Sequence, residues 1–332
     1  MDTQLIKYFR GSLVFTLLGL TIVFFWGGFS ALTLTLLLAI LEISLSFDNA
    51  VMNATVLTKM DKIWQARFLT WGVLIAVFVV RFLLPLLIVA LVTQLNILEV
   101  LALAIESPAE YAAHLSSARI MITSFGGLFL LMVFVSFLFD QKKSIHWVWW
   151  VEKKLNGMGK IKSLQIVIAL LALFYIQQMA PESHKLEGIL SGILGIFVFI
   201  LLKGATELLG KNNNTVGYQG MIGFLYLEIL DTSFSLDGVM GAFAITQDIV
   251  IILLGLAIGA IFVRSLTVFL VHKGTFKKYL FLEHGAHFAI GALALIMLAS
   301  IKIHVPEIIT GLTGVVFVGL ALLSSLRYNR KL

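Results

Sequence analysis

Apolar residues in this chain collect into long runs, and polar residues into the short connections between them. Runs able to cross roughly 30 Å of hydrocarbon as helices, about 20 residues each, can be placed ten times. They fall near residues 11–29, 31–57, 66–94, 120–139, 163–180, 187–208, 219–246, 248–271, 285–302 and 306–326. The pattern predicts an all-α polytopic membrane protein. The first run lacks a small-residue cleavage site after it and reads as an uncleaved first span.

Charge in the connections tests this count independently, because Lys and Arg collect on the cytoplasmic side. Alternate connections divide them 19 to 3, with only Arg119, Lys185 and Lys302 on the poorer side. Ten spans with both termini in the cytoplasm satisfy that split. The expected location is the plasma (inner) membrane of a bacterium.

Two of the apolar runs carry the same acidic pattern. Leu41–Ala54 reads LEISLSFDNAVMNA, and the stretch from Leu230 reads LDTSFSLDG. Superposed, Glu42 falls on Asp231, Ser44 on Ser233, Ser46 on Ser235, Asp48 on Asp237 and Asn49 on Gly238. The next span in each half has Gly and Arg nine apart, Gly72 and Arg81 or Gly255 and Arg264, and a third pair reads GGLFLLMV from Gly126 and GALALIML from Gly291. The copies enter the membrane from opposite sides, which is the inverted-repeat plan of many secondary transporters. The expected halves are residues 1–185, with spans 1–5, the motif at 41–54 and an interfacial segment at 140–162, and residues 186–332, with spans 6–10 and the motif at 228–246.

Composition narrows the chemistry. The chain is 60% hydrophobic and 13% charged, and it has no cysteine. Thiolate ligands, disulfides and redox catalysis are thereby excluded. The net charge of +6 needs no nucleic acid to explain it, since the membrane accounts for the excess of Lys and Arg. No HExxH pair, GxSxG elbow or P-loop is present, so an enzyme is not expected.

A carboxylate inside a membrane span costs roughly 2.5 to 3.5 kcal/mol and marks a functional site by default. Glu42, Asp48, Glu228, Asp231 and Asp237 stand there against Arg81 and Arg264, an excess of three negative charges if all are ionised. Protons, a bound cation, or both in alternation must offset that excess. Carboxylates, the hydroxyls of Ser44, Ser46, Ser233 and Ser235 and the amides of Asn49 and Asn53 are oxygen donors suited to manganese, magnesium or calcium. The two copies are expected to face each other in mid-membrane and handle such an ion.

On a straight helix Glu42, Ser46, Asn49 and Asn53 share one face, whereas Asp48 lies about 120° around the axis. Either the helix is broken near the serines, or the acids have separate jobs; both arrangements are open. Arg81 and Arg264 can neutralise a carboxylate or act as tethered cations that compete with a substrate.

Two connections stand apart. Residues 96–118 form an extracytoplasmic insert able to hold an amphipathic helix, and residues 140–162, with Trp147, Trp149 and Trp150 among lysines, read as an interfacial helix. His284 and His287, beside Glu283, read as an interfacial histidine pair.

At the acidic motifs the sequence resembles the TerC family of integral membrane proteins. LEISLSFDN is similar to that family's first signature, and DTSFSLDGVMGAFAITQD from Asp231 to its second. Gly238 stands where the family commonly has Ser followed soon by Pro, which with the two inserts indicates a divergent branch. The resemblance implies export of a metal ion, manganese above all, through Glu42, Asp48, Asn49, Asp231 and Asp237. The expected function is proton-coupled export of a divalent cation, with no permanently bound cofactor. Expected partners are the metal ion, protons and lipid, with homo-oligomers or stress-resistance membrane proteins beyond them. The alternative is a non-transporting scaffold of a metal or tellurite stress-resistance complex.

Overall fold

The computed structural model describes residues 3–141, 143, 145–158, 161, 163–210, 220–303 and 305–330; the side chains of a few of these, Asp237 among them, lie outside the description. Among the described residues the fold is all-helical. In lipid a helix alone satisfies every backbone donor and acceptor within one segment, and all ten predicted runs are helical here.

The chain folds into two compact units, Met1–Arg119 with Leu227–Lys273, and Ile120–Tyr226 with Gly274–Leu332. These units interleave along the sequence.

The first unit begins with α1 (Thr3–Leu45), in which the first predicted run and most of the second join across a kink. Gly28 makes the kink at φ 66° and ψ −152°, a backbone region open essentially to glycine alone. A break at Ser46 separates α2 (Phe47–Leu57). Next come α3 (Lys62–Leu74), a nine-residue π-helix (Ile75–Leu83) and α4 (Leu84–Thr93) as one continuous rod. Pro85 accounts for the π-helix, because its ring would clash with the carbonyl four residues back, that of Arg81, in an α-helix.

The 96–118 insert forms two short helices, α5 (Ile97–Glu106) and α6 (Pro108–Ser117). Asn96 and Glu99 begin α5 with a capping box, and Tyr111 of α6 lies buried with its ring 5.4 Å from that of Phe243. Burial pushes the Tyr111 hydroxyl well above its ordinary pKa.

In the second unit, α7 (Arg119–Leu138), α9 (Ser163–Gln177) and α10 (Lys185–Gly210) follow one another, with α8 (Trp149–Met158) before α9 and a 3-10 turn (Glu182–His184) before α10. Polar pairs pin them: Gln177 donates to Ser124 Oγ at 2.8 Å, and Lys203 to Ser136 Oγ at 2.7 Å and Gln165 Oε1 at 3.2 Å. The long helix α11 (Gly220–Ile245) carries the second acidic motif, and α12 (Ile249–His272) follows it in the first unit. The chain then runs through α13 (Thr275–Lys278), α14 (Leu282–Ala299) and α15 (Glu307–Asn329).

Among the described residues seven stretches are long and apolar enough to cross a membrane: Tyr8–Leu45, Lys62–Thr93, Arg119–Leu138, Glu182–Leu208, Ile249–His272, Leu282–Ala299 and Ile309–Asn329. They fit a multi-pass helical membrane protein. The difference from the ten predicted runs has physical causes. The kinked α1 counts once, α9 has only 15 residues, and α11 carries the acids of the second motif. Large apolar side chains such as Phe25 (84% exposed) and Phe29 (76%) face outward, as lipid contact requires.

The interfacial segment is tied down by a buried carboxylate. Glu152 is fully buried, and its Oε1 accepts the backbone N–H groups of Trp147 and Val148, both at 3.0 Å. Its Oε2 lies 2.7 Å from Lys143 Nζ and 3.4 Å from His284 Nε2. His284 Nε2 is also 2.9 Å from the Ile145 carbonyl; both partners are acceptors, so this nitrogen carries the hydrogen. The expected interfacial histidine is thus a latch between α14 and the turn before α8. The indoles of Trp149 and Trp150 stay exposed.

Burial opposes ionisation of Glu152, but the hydrogen bonds from His284, Lys143 and Val148 outweigh it and hold the carboxyl down at about 2. A depressed carboxyl stabilises the fold above its ordinary pKa, and that stability drains away as pH falls towards the folded value. The Glu152→Gln variant should lose about 3 kcal/mol at neutral pH, the cost of breaking a buried pair. Thermal unfolding of both forms should show the gap closing between pH 4.5 and about 2. A gap that stays constant over that window would refute the latch.

Candidate cation site

The first unit brings most of the predicted site residues together. Helix α1 approaches α12 closely because α12 presents glycines. A Cβ on Gly255 would lie 3.2 Å from the Thr35 carbonyl oxygen, and one on Gly259 only 2.5 Å from Glu42 Cβ. Glu42 is thereby pressed against α12 backbone and is 2% exposed. From α11, a Cβ on Gly238 would come within 3.0 Å of Glu42 Oε2. That contact explains why the position equivalent to Asn49 in the second motif is glycine.

Two side chains bond the Glu42 carboxylate. Arg81 Nη2 pairs with its Oε1, and Ser46 Oγ donates to the same oxygen at 3.0 Å. Arg81 Nη1 donates to the Ala76 carbonyl five residues back at 2.8 Å, a contact that the wide π-helix supplies. Arg81 is therefore clamped at both ends of its guanidinium, and it neutralises the first-motif acid.

Asp231, the repeat counterpart of Glu42, is bound differently. Its Oδ1 accepts from Asn49 Nδ2 at 2.6 Å and from Asn53 Nδ2 at 3.4 Å. Positions 49 and 53 are one helical turn apart on α2, so both amides reach the same carboxylate. Arg264 donates instead to the Gly72 carbonyl at 3.0 Å and sits 3.7 Å over the Phe68 ring.

The structure answers the question of whether the motif helices are broken. The first motif is interrupted at Ser46, with φ −100° and ψ 16°, and the second runs unbroken through α11. The acids of the first motif also have separate surroundings. Asp48 is buried in the first turn of α2, where the Asn49 backbone N–H donates to its Oδ1 at 3.0 Å. A carboxylate there is favoured by the helix dipole.

The serines divide too. Ser46 joins Glu42, while Ser44 is exposed and Ser233 buried, each bonding the carbonyl four residues back in its own helix. Ser235 is buried, and its hydroxyl has no hydrogen-bond partner. The Asp237 side chain lies outside the described residues. Among the described residues no group of three or more His, Asp or Glu is arranged to hold a metal ion.

Glu228 is the residue whose weight the sequence understated. It is 6% exposed, and neither carboxylate oxygen has a hydrogen-bond partner. Gly72 makes room for it, since a Cβ there would lie 2.6 Å from Glu228 Oε1 and 3.4 Å from Arg264 Nη2. The repeated Gly72 was the signal available in the sequence. Asn49 Oδ1 and Asn53 Oδ1 are likewise buried without partners. Counting Ser235 Oγ, five buried oxygens on α2 and α11 have no hydrogen-bond partner. Each buried, unpaired polar atom costs about 1 to 3 kcal/mol, and a hard cation or ordered water would relieve that cost.

Comparison with known proteins gives a family without an activity. No curated protein matches the chain, and no solved structure does. Residues 47–332, which include α2, the whole second motif and both arginines, match the family described as a protein of unknown function, DUF475, and the chain belongs to that family.

Proposed function

We propose that this chain exports a divalent metal cation across the membrane, coupled to protons, through a central site built from the two acidic motifs. The observation that carries the reading is the set of buried oxygens without hydrogen-bond partners on Asn49, Asn53, Glu228 and Ser235, in the two motif helices that meet where Asn49 and Asn53 bond Asp231. All are oxygen donors, which suit manganese, magnesium or calcium over softer ions. The resemblance to TerC proteins favours manganese. Glu42, Asp48, Asn49, Asp231 and Asp237 are the proposed ligands, with Arg81 and Arg264 holding the site's charge balance. The chain crosses a bacterial plasma membrane ten times in this reading, as an inverted repeat with both termini in the cytoplasm.

A scaffold function draws support from the Glu42–Arg81 pair alone, which would lock α1 to the π-helix whether or not an ion moves. It leaves the unpartnered oxygens unexplained.

Vesicles reconstituted with the full chain should move Mn2+, and Asp48→Asn, Asp231→Asn and Asp237→Asn should each lower the flux at least tenfold. Equal flux through wild type and all three variants would end the transport reading. Topology has its own check, since a cysteine-free chain gives no labelling background. Thr58 and Ser183 are exposed and three predicted spans apart. Single cysteines at these positions should react with an impermeant thiol reagent from opposite sides; reaction from one side would remove a span and the inverted plan with it.

A further inference from the structure

We infer that Asn49 and Asn53 form an amide switch at Asp231, turning N–H donors towards the carboxylate when no ion is present and carbonyl oxygens when one is bound. The inference rests on the transport reading above and names how that site selects its ion.

Both amides belong to α2, four residues apart, and each is 1% exposed. Each spends its NH2 group on the same atom, Asp231 Oδ1, at 2.6 and 3.4 Å. Each leaves its Oδ1 buried with no hydrogen-bond partner. An asparagine kept only to fix a carboxylate needs its donor satisfied, and a well-packed interior would give its carbonyl a donor as well. Two adjacent asparagines with the same orphaned atom indicate that those oxygens have a partner in another state.

Geometry makes the exchange local. The terminal torsion of asparagine is a soft, roughly two-fold rotor, so a half-turn interchanges nitrogen and oxygen while the helix stays in place. After that half-turn the two amide oxygens occupy the present nitrogen positions, 2.6 and 3.4 Å from Asp231 Oδ1. Neighbouring ligands of an octahedral ion with metal–oxygen bonds of about 2.1 Å stand about 3 Å apart. The two present distances bracket that spacing. Three oxygens, one charged and two neutral, would then be available to one ion.

Without the ion, the same oxygens would crowd against a carboxylate and repel it. The NH2 groups occupy the carboxylate oxygen where the ion would sit, while Arg264 and Arg81 act on the same charge at longer range. With the ion, an NH2 group facing it would be repelled. The ion and the two amide donors therefore exclude each other at Asp231 Oδ1. The donor set selects a hard, oxygen-seeking divalent cation, because it offers neither sulfur nor imidazole.

Titration calorimetry on the purified full chain, with Mn2+, Mg2+ and Ca2+ in turn, supplies the affinities. Asn49→Leu and Asn53→Leu should each weaken binding of the preferred ion at least tenfold, whereas Asn53→Asp, which keeps an oxygen and loses both donors, should bind at least as tightly as wild type. Infrared difference spectra of the wild type, with 13C at the asparagine side-chain carbonyls, give a direct reading that needs no variant to fold. On ion binding an asparagine band should shift to lower frequency. Binding without any change in that band, or undiminished affinity in both leucine variants, overturns the switch and leaves the transport reading standing. A wild type that neither binds nor moves any of the three ions overturns both.

Discussion

The constraint on which the first unit depends is the cost of keeping carboxylates away from water. Glu42 cannot be buried at 2% exposure as a free charge, and Arg81 is the group that meets it. Much of the local architecture serves that encounter. Pro85 widens the helix into a π-helix, which lets the guanidinium bond the Ala76 carbonyl while it holds Glu42. Glycines at 238 and 259 let two other helices close around the carboxylate. Removing either member of the pair would leave a buried charge uncompensated, so the pair is a condition for the fold as well as a part of the site.

The two motifs solve this problem in different ways, although their sequences superpose. The first-motif acid takes an arginine. The second-motif acid takes two amides from the first motif, and the equivalent arginine bonds a backbone carbonyl at Gly72 and an aromatic face. Asp231 is hydrogen-bonded by neutral amides, with Arg264 and Arg81 acting on its charge at longer range.

The second unit handles a buried charge at its edge. Glu152 ties the turn before α8 to α14 through Lys143 and His284, which leaves Trp149 and Trp150 free to face outward. A long polar connection is made rigid by one carboxylate whose oxygens both have partners.

The membrane-helical architecture, the two acidic motifs and the need to neutralise them were all legible in the sequence, because the cost of a charge in hydrocarbon depends on composition and spacing alone. The shared face of Glu42, Ser46, Asn49 and Asn53 was legible for the same reason, as one helical turn is a fixed interval. Partners were not legible. Nothing in the spacing says that Asn49 and Asn53 serve Asp231 across 182 and 178 residues. Nor does it say that Arg264 bonds Gly72, that Glu228 has no hydrogen-bond partner, or that His284 reaches Ile145. Those outcomes depend on how closely helix backbones approach. That distance is set by glycines such as Gly72, Gly238 and Gly259, whose importance is visible only once the facing side chain is in place.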